Sequence, residues 1–581
     1  MDIINYFKEN LEDEDVTIDE KIDIIENNDL EVNQLLKQTL SFNECDYNVT
    51  FNDSLFQDLE VFKDHLQNEN FSIINKISRT RTFLGYFYLK YKLNNPIYDI
   101  NNLNIQKDNI NKMLKIDLNK ELKTIHNNEK DILWFWKEID ENLQSIHDMI
   151  YFSSSYLSFF NYNEIYLLTM NIYKIFISPI ITVVSPLSSI IFLFIMYSYY
   201  KIDIPFSEML SICKKLFFNQ FSGNSKLKIF VSVGIWLFFY LQGIYQTINI
   251  SKQINKISNL FHTKINVLTN FVKIVNNIYL NITDNKLKLK YSDIFNNLKK
   301  LLPSLENKLF SSKPTLFNNK GKIFATYYTI LNIKELFEPL LYFVCEIDYY
   351  NSIKSIYLEF KNTNNKISLP NYVENNDIVF NINNCWHPYL QNKPIKNSIK
   401  LNKNIIITGP NAAGKSTFIK TLLLNVLLSQ TISLCTSDKF TFTVFENINS
   451  YLHIPDTKGK ESLFEAEMNR SLNYIEYLKN NKNKKSFIIM DEIFSSTNNI
   501  EGVEAAKIVC EKLSKFKNNI TLLTTHYNEL SKLQYKNKKF TNYRFIIKRD
   551  KKNNIIFTYK LAKGVSKDKI ALELFKNKIN I

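Results

Sequence analysis

The apolar positions of the N-terminal half of the chain recur mostly at helical spacing. Between residues 75 and 160 they return every three or four positions with few glycines or prolines, which predicts a series of helices. A long amphipathic helix is predicted after residue 250, because the same spacing continues there and no glycine or proline occurs between Gly243 and Pro303. A returning helix is predicted over about 322–360. Residues 1–46 place short apolar clusters between acidic runs, which predicts small helices or a partly disordered lead.

Two segments stand apart because they contain no charged residue. Residues 175–200 form an uncharged run of 26 residues and residues 229–248 one of 20, whereas a bilayer core needs about 20 apolar helical residues. We interpret 175–248 as a two-helix membrane hairpin with both chain ends on the cytosolic side. A pair of buried core helices in a soluble intracellular protein is the alternative. Lysines are as frequent between the segments as outside them, which gives no positive-inside bias and leaves a re-entrant or interfacial hairpin open.

From residue 376 the pattern changes to β-branched runs that alternate with helical stretches, which is typical of an α/β domain. Ile405–Thr408 predicts a buried strand and Phe418–Leu428 a helix after it, while Ser486–Met490 and Ile520–Thr524 predict two more buried strands. The predicted fold is therefore multidomain, with an all-α part followed by an α/β part. The boundaries we expect are 1–54 for an acidic lead, 55–365 for a helical domain that contains the hairpin, and 376–581 for the α/β domain.

Charge is divided unevenly along the chain. Residues 1–70 carry 19 acidic and 4 basic side chains, a net charge of −15, so the remainder carries +29 against a total of +14. A basic body suits contact with nucleic acid or anionic lipid, and a solvated lysine surface is the alternative. The six cysteines lie at no metal-ligand spacing, which indicates reduced thiols in a cytosol-like compartment.

The segment between the first predicted strand and its helix matches the GxxxxGK[ST] pattern of a phosphate-binding loop. It consists of Gly409, Pro410, Asn411, Ala412, Ala413, Gly414, Lys415, Ser416 and Thr417. In a strand–loop–helix context the backbone N–H groups of such a loop cradle phosphate. Lys415 would reach the β- and γ-phosphates of ATP, and Ser416 would ligate Mg²⁺.

Candidate catalytic groups follow the next two predicted strands. Asp491 and Glu492 end the strand at 486–490, where the aspartate could hold Mg²⁺ and the glutamate could polarise the attacking water. His526 follows the strand at 520–524 and could contact the γ-phosphate. By itself a histidine at a strand end is more often structural, but its order after the other two motifs favours a functional role.

Several motifs of this region together resemble those of the MutS family of ATPases. Pro410 and Asn411 give the loop its MutS form. The other similar motifs are Ser462–Met468, which resembles Ser-Thr-Phe-x-x-Glu-Met, Thr525–Leu530, which resembles Thr-His-Tyr-x-Glu-Leu, and the His-Pro pair at His387. The resemblance covers about 380–575 and extends more weakly to Arg81–Gly85 and Glu346–Ser352, which are similar to parts of the MutS lever domain.

The resemblance implies an ABC-type ATPase that uses ATP and Mg²⁺ and works as a homodimer with facing ATPase domains. Ser462 would then touch the nucleotide of the partner chain, and Gln430 would take the place of the Q-loop glutamine. Double-stranded DNA is the partner that the resemblance offers, with a role in mismatch repair or recombination.

The sequence also departs from the family pattern. Phe494–Asn499 stands where MutS repair proteins typically continue with Gly-Arg-Gly-Thr, and the segment before the lever-like region is too short for a mismatch-reading domain. We therefore expect a membrane-associated, MutS-like ATPase with its ATPase domain in the cytosol. The alternative is a membrane-bound mechanochemical ATPase with no role on DNA.

Overall fold

A computed structural model describes most of the chain in two units. The described residues are 48–63, 72–136, 147–185, 226–282, 285–305, 314–315, 319–452, 463–551 and 555–566, with isolated positions between 195 and 215. The first unit comprises the described parts of Met1–His126, Leu280–Lys290 and Leu341–Ile581, and the second those of Asn127–Tyr279 and Tyr291–Leu340. The predicted lead 1–46 and the predicted segment 186–200 fall outside the described residues, apart from isolated positions in the latter.

Fifteen α-helices lie within the described residues. They are α1 (Leu55–Asp58), α2 (Ile73–Ile77), α3 (Phe83–Asn94), α4 (Ile100–Met113), α5 (Asn119–Leu133), α6 (Glu164–Ile172), α7 (Ser178–Val184), α8 (Lys226–Asn281), α9 (Asn285–Leu305), α10 (Lys320–Ile333), α11 (Glu338–Lys361), α12 (Lys415–Ile432), α13 (Leu463–Asn480), α14 (Asn499–Leu513) and α15 (Leu533–Lys536). The predicted long helix is thus α8, and the predicted returning helix is two helices, because a 3₁₀ turn at Lys334–Phe337 separates α10 from α11.

The strands form two sheets. They are β1 (Thr50–Phe51), β2 (Asn371–Tyr372), β3 (Phe380–Cys385), β4 (Asn397–Leu401), β5 (Asn404–Thr408), β6 (Lys439–Phe442), β7 (Asn447–Tyr451), β8 (Ser486–Asp491), β9 (Asn519–Thr525), β10 (Phe540–Arg549) and β11 (Ile555–Lys563). The larger sheet has the order β1-β7-β8-β9-β5-β10-β11, and only β11 runs antiparallel to its neighbour. The smaller sheet has the order β2-β6-β3-β4.

The three central strands of the larger sheet are buried on both faces. Every residue of β5 and β9 is buried, and so is all of β8 except Asp491. Apolar-rich strands buried along their whole length are typical of parallel sheets covered by helices on both sides, which is why the sequence predicts them well. Because β8, β9 and β5 are neighbours in this order, the loops at their carboxyl ends meet at one edge of the sheet.

The segment at 48–63 belongs to the first unit and not to a separate helical domain. Thr50 and Phe51 pair in parallel with Asn447 and Ile448 of β7 as the edge strand of the larger sheet. The buried carboxylate of Asp58 accepts a hydrogen bond from Ser450 at 2.6 Å. A two-residue strand carries too little pattern to be recognised, so the predicted boundary between 1–54 and 55–365 divides residues that fold together.

The second unit is helical and has an aromatic core. Phe261 of α8 stacks on Tyr327 of α10 with 3.6 Å between ring centroids, and Trp134 packs against both. The C-terminal part of α8 is amphipathic as predicted, since its side chains from Ile254 onward that recur every three to four residues are buried. Its N-terminal part, in contrast, exposes large apolar side chains, including Phe238 and Phe239 at 64% each.

Two helices of this unit are long and apolar enough to cross a membrane by length and composition, namely Glu164–Val184 and Val231–Asn281. They run side by side in opposite directions: the Tyr240 hydroxyl donates to the carbonyl of Val183 at 2.7 Å, and the Ser251 hydroxyl donates to that of Ile175 at 3.3 Å. The described ends of the two predicted hydrophobic segments therefore pair with each other.

Candidate nucleotide-binding site

The loop after β5 gathers around the amine of Lys415. This amine is buried and donates to the carbonyls of Gly409 at 3.0 Å and Pro410 at 3.2 Å, and to Oδ1 of Asn411 at 3.4 Å. Gly414 precedes α12 with a φ of +94°, which is left-handed backbone. A Cβ there would also lie 3.1 Å from the ring of Tyr559, so both conformation and space favour glycine.

The loop opens into a cavity of about 510 Å³. Of the predicted loop residues, the cavity is lined by Asn411, Ala412, Gly414, Lys415, Ser416 and Thr417. Gly409 and Pro410 instead hold the lysine amine, and Ala413 is buried beneath the loop. The backbone N–H groups at the start of α12 face this loop, which suits an anion such as a phosphate group.

The catalytic candidates from β8 and β9 converge on the same lysine. Oε1 of Glu492 lies 2.6 Å from Nε2 of His526 and 3.3 Å from Nζ of Lys415. The hydrogen bond from His526 and the charge of Lys415 lower the pKa of Glu492. Burial lowers the pKa of Lys415, and the two carboxylates of Glu492 and Asp491 oppose that effect. Glu492 is therefore held as a carboxylate beside two cationic or hydrogen-bonding groups.

Asp491 is the last residue of β8, and His526 follows the neighbouring strand β9. Asp491 pairs with Thr524 of β9, whose hydroxyl donates to Oδ1 of Asp491. A carboxylate here and the Ser416 hydroxyl on the cavity wall are hard oxygen donors, which fits Mg²⁺ held by few protein ligands together with phosphate oxygens. The predicted metal ligands are thus chemically compatible with this ion.

Reasoning from the sequence missed several further cavity residues. Among them are Trp386, His387, Ile395, Phe545 and Tyr559, of which His387 was noted only as part of the His-Pro motif. They come from two regions that are far apart in the sequence, 386–395 and 545–559, so no local spacing signals them. Together they give the cavity an apolar wall opposite the phosphate loop, which suits a planar ring.

His387 is a neutral structural group at this wall. Burial, together with the charge of nearby Lys420, lowers its pKa to about 4. Its Nδ1 accepts a hydrogen bond from the backbone N–H of Tyr389 at 3.3 Å and so caps the 3₁₀ turn Pro388–Leu390. A neutral imidazole can accept in this way because one ring nitrogen carries no proton.

Gln430 does not take part in the site, contrary to the prediction. It lies near the far end of α12, about 22 Å along the helix axis from Lys415 at 1.5 Å per residue. It is fully buried, and its side-chain amide donates to the carbonyls of Ile97 and Phe445 and accepts from the N–H of Phe445. Its role is to hold residues 97 and 445 against α12. Ser462 lies outside the described residues.

Comparison with known proteins finds a recognised domain that contains the glycine loop of this site. Residues 405–578 match the family MutS domain V. MutS protein homolog 4 of Mus musculus is 33% identical over 197 residues, which cover 32% of this chain and 20% of that protein. The DNA mismatch repair protein MutS of Fusobacterium nucleatum is 27% identical over 328 residues, covering 50% of this chain and 35% of that protein.

A second bacterial relative, the DNA mismatch repair protein MutS of Persephonella marina, is 33% identical over 186 residues, 31% of this chain and 21% of that protein. The chain thus spans between a fifth and about a third of the length of these relatives. The matched domain, residues 405–578, contains the loop, both carboxylates and the histidine. By these comparisons the chain is similar to members of the MutS family, and residues 405–578 match domain V of that family.

Proposed function

We propose that this chain binds ATP in the 510 Å³ cavity and hydrolyses it with the help of Mg²⁺. The observation that carries the proposal is the convergence of Lys415, Glu492 and His526, from three neighbouring strands, on one glycine loop. The loop N–H groups and Lys415 bind and orient the phosphates. The apolar wall with Tyr559 takes the base.

The Glu492 carboxylate is the group that orients and polarises the attacking water. Its lowered pKa keeps it ionised, and a carboxylate can accept a hydrogen bond from water. Lys415 and His526 hold it until phosphate oxygens compete for them. Ser416 and Asp491 would hold Mg²⁺, and the ion would neutralise charge on the phosphate oxygens.

The Lys415→Ala variant tests the phosphate-binding assignment. We expect a loss of ATP binding of at least about tenfold, because a buried charge-assisted contact to phosphate is removed. Binding is measured by titration with a fluorescent ATP analogue. Lys420→Ala is the matched control, since Lys420 lies one turn further along α12 and pairs with Glu60 at 3.2 Å. Equal binding by both variants would remove the phosphate site from this loop.

The ATPase activity is proposed to act on DNA in mismatch repair or recombination. Support comes from the relatives named for DNA mismatch repair and from the net charge of +29 after residue 70. A homodimer through facing ATPase domains is part of this proposal. The role on DNA predicts that double-stranded DNA stimulates ATP hydrolysis. It also predicts that the stimulation falls as salt rises, because the release of counterions drives the binding of DNA.

Membrane association is the second candidate, and the apolar hairpin favours it. Many of the large apolar side chains of α7, and of α8 between Val231 and Ile248, are exposed, whereas α8 becomes amphipathic and packed from Ile254 onward. The change occurs near the contact of Ser251 with Ile175, which would mark the membrane surface on the cytosolic side. In this second candidate function, ATP-driven motion acts on the bilayer, and the rate of ATP hydrolysis depends on lipid but not on DNA.

One assay separates the two candidates. Hydrolysis by the full-length protein is measured in lipid nanodiscs and in detergent, each with and without double-stranded DNA at two salt concentrations. Stimulation by DNA that is lost at the higher salt supports the role on DNA. Activity that follows lipid and ignores DNA supports the mechanochemical role, and partition into the soluble fraction without detergent contradicts membrane association.

A further inference from the structure

Phe494, two residues after Glu492, is held through both of its backbone groups. Its N–H donates to Oε1 of Glu467 at 3.2 Å, and its carbonyl accepts from the hydroxyl of Tyr527 at 2.8 Å. Oε2 of the same glutamate accepts from the Ser496 hydroxyl at 2.7 Å. Glu467 belongs to α13, and Tyr527 directly follows His526. Phe494 therefore connects three segments that surround the site.

The backbone at this point adopts a conformation that side chains disfavour. Glu492 and Phe494 have φ values of +49° and +56°, in the left-handed region that glycine prefers. Such residues persist only where their surroundings hold them in place. The two hydrogen bonds to Phe494 supply that restraint from opposite sides.

The side chain of Phe494 adds a third connection. It is buried and packs against Phe464, at the start of α13, with 5.6 Å between ring centroids. Gly502 of α14 closes the remaining side, because a Cβ there would come within 2.5 Å of the Phe494 carbonyl and 2.7 Å of the Tyr527 hydroxyl. A glycine at position 494 would avoid the strain but would have no side chain to contact α13.

We propose that Glu467 and Tyr527 form a clamp on Phe494 that makes the position of Glu492 depend on the position of α13. Glu467 is thus a positioning residue for hydrolysis. Movement of α13 is transmitted through the Phe494 backbone to the carboxylate two residues earlier, and movement at His526 reaches the same point through Tyr527. The effect of the clamp on hydrolysis rests on the proposed ATPase function. The contacts that form the clamp do not.

Two readouts on the full-length protein test the clamp. Hydrogen exchange of the backbone at 493–498 without nucleotide reports on the Phe494 amide. Steady-state ATP hydrolysis reports on Glu492. For Glu467→Ala we expect faster exchange, a fall in kcat of about tenfold and a KM for ATP within about twofold of the parent value, since positioning and not binding is lost.

Conservative variants distinguish positioning from packing. Glu467→Gln keeps an acceptor oxygen for the Phe494 N–H, so we expect protected exchange and recovery of most of kcat. Tyr527→Phe removes the opposite hydrogen bond and should lower kcat by a similar factor. Because the two groups act on one backbone unit, the double variant should lose less than the product of the single losses.

Matched controls come from exposed residues of the same types. Glu504→Ala removes a solvent-exposed glutamate of α14, and Tyr535→Phe alters a tyrosine that is 80% exposed. We expect neither readout to change in either control.

Unchanged exchange at 493–498 in Glu467→Ala would overturn the clamp. A second result would also overturn it: kcat falls and KM rises by a similar factor in Glu467→Ala, and Glu467→Gln does not restore kcat. That pattern is typical of a general loss of packing. If the parent protein hydrolyses no ATP, the proposed function fails, and the exchange readout still decides whether the clamp exists.

Discussion

Oε1 of Glu492 lies 2.6 Å from Nε2 of His526, which joins residues from the ends of two adjacent strands. Lys415 approaches the same carboxylate oxygen at 3.3 Å. The glutamate that would activate water is thus paired with the two groups that would bind the γ-phosphate. ATP phosphates and Glu492 compete for the same partners, so ATP binding would free the carboxylate for water.

This competition predicts two different pH dependences. In the free protein, His526 and Lys415 lower the pKa of Glu492, so the carboxylate stays ionised at pH values below the ordinary glutamate pKa. The acid limb of the pH profile of kcat/KM should therefore lie below that pKa. With ATP bound, the phosphates engage both partners and add negative charge, which raises the pKa of Glu492. The acid limb of kcat should therefore lie at higher pH than that of kcat/KM. Coincident limbs, measured by hydrolysis from pH 4 to 8, would contradict the competition.

Tyr559 is predicted to bind the base. In Tyr559→Ala the apolar wall loses a ring, and we expect KM for ATP to rise about tenfold with kcat largely retained, because aromatic stacking contributes about 1–3 kcal/mol per base. Tyr535→Ala removes an exposed ring elsewhere in the same unit and serves as control. A loss confined to kcat would instead assign Tyr559 to the chemistry.

Gln430 is predicted to matter for stability and not for nucleotide binding. Gln430→Ala leaves the Phe445 N–H and two buried carbonyls without their partner, which we expect to lower the free energy of unfolding by about 2–3 kcal/mol. Denaturant unfolding measures this change, and ATP titration should show an unchanged affinity. An ATP affinity that falls while stability is retained would restore the role expected from the family resemblance.

The exposed face of α8 is predicted to contact lipid. Phe238→Asp together with Phe239→Asp should reduce recovery with liposomes in a flotation assay by about tenfold or more, because charge in the apolar core of a bilayer costs several kcal/mol. Leu289→Asp alters another exposed apolar residue, 71% exposed in α9, and should float like the parent. Equal flotation of all three proteins would contradict insertion of the hairpin.

The sequence predicts the centre of the α/β domain well because its signals there are local. The buried strands β5, β8 and β9 are rich in Ile, Leu and other apolar residues, and the loop and both carboxylates lie at or just after the ends of β5 and β8. The amphipathic part of α8 is equally clear from its spacing. These elements bring Lys415, Glu492 and His526 together without further information.

What the sequence does not predict depends on contacts between distant segments. Thr50 and Phe51 become a strand only because β7 offers an open edge. Gln430 lies at the expected place in the chain, but helix geometry carries it away from the loop and into the contact with Ile97. Phe494 gives no local sign of its left-handed backbone, since the restraint comes from α13 and Tyr527.

The central claim, that this site hydrolyses ATP through Glu492, is tested most directly by single-turnover hydrolysis in Glu492→Gln beside the parent protein, with ATP binding measured on the same samples. We predict that the variant binds ATP at least as tightly as the parent and hydrolyses it at least about a hundredfold more slowly, since the group that polarises water is lost. Hydrolysis at the parent rate, with binding retained, would contradict the assignment of Glu492 and with it the proposed mechanism.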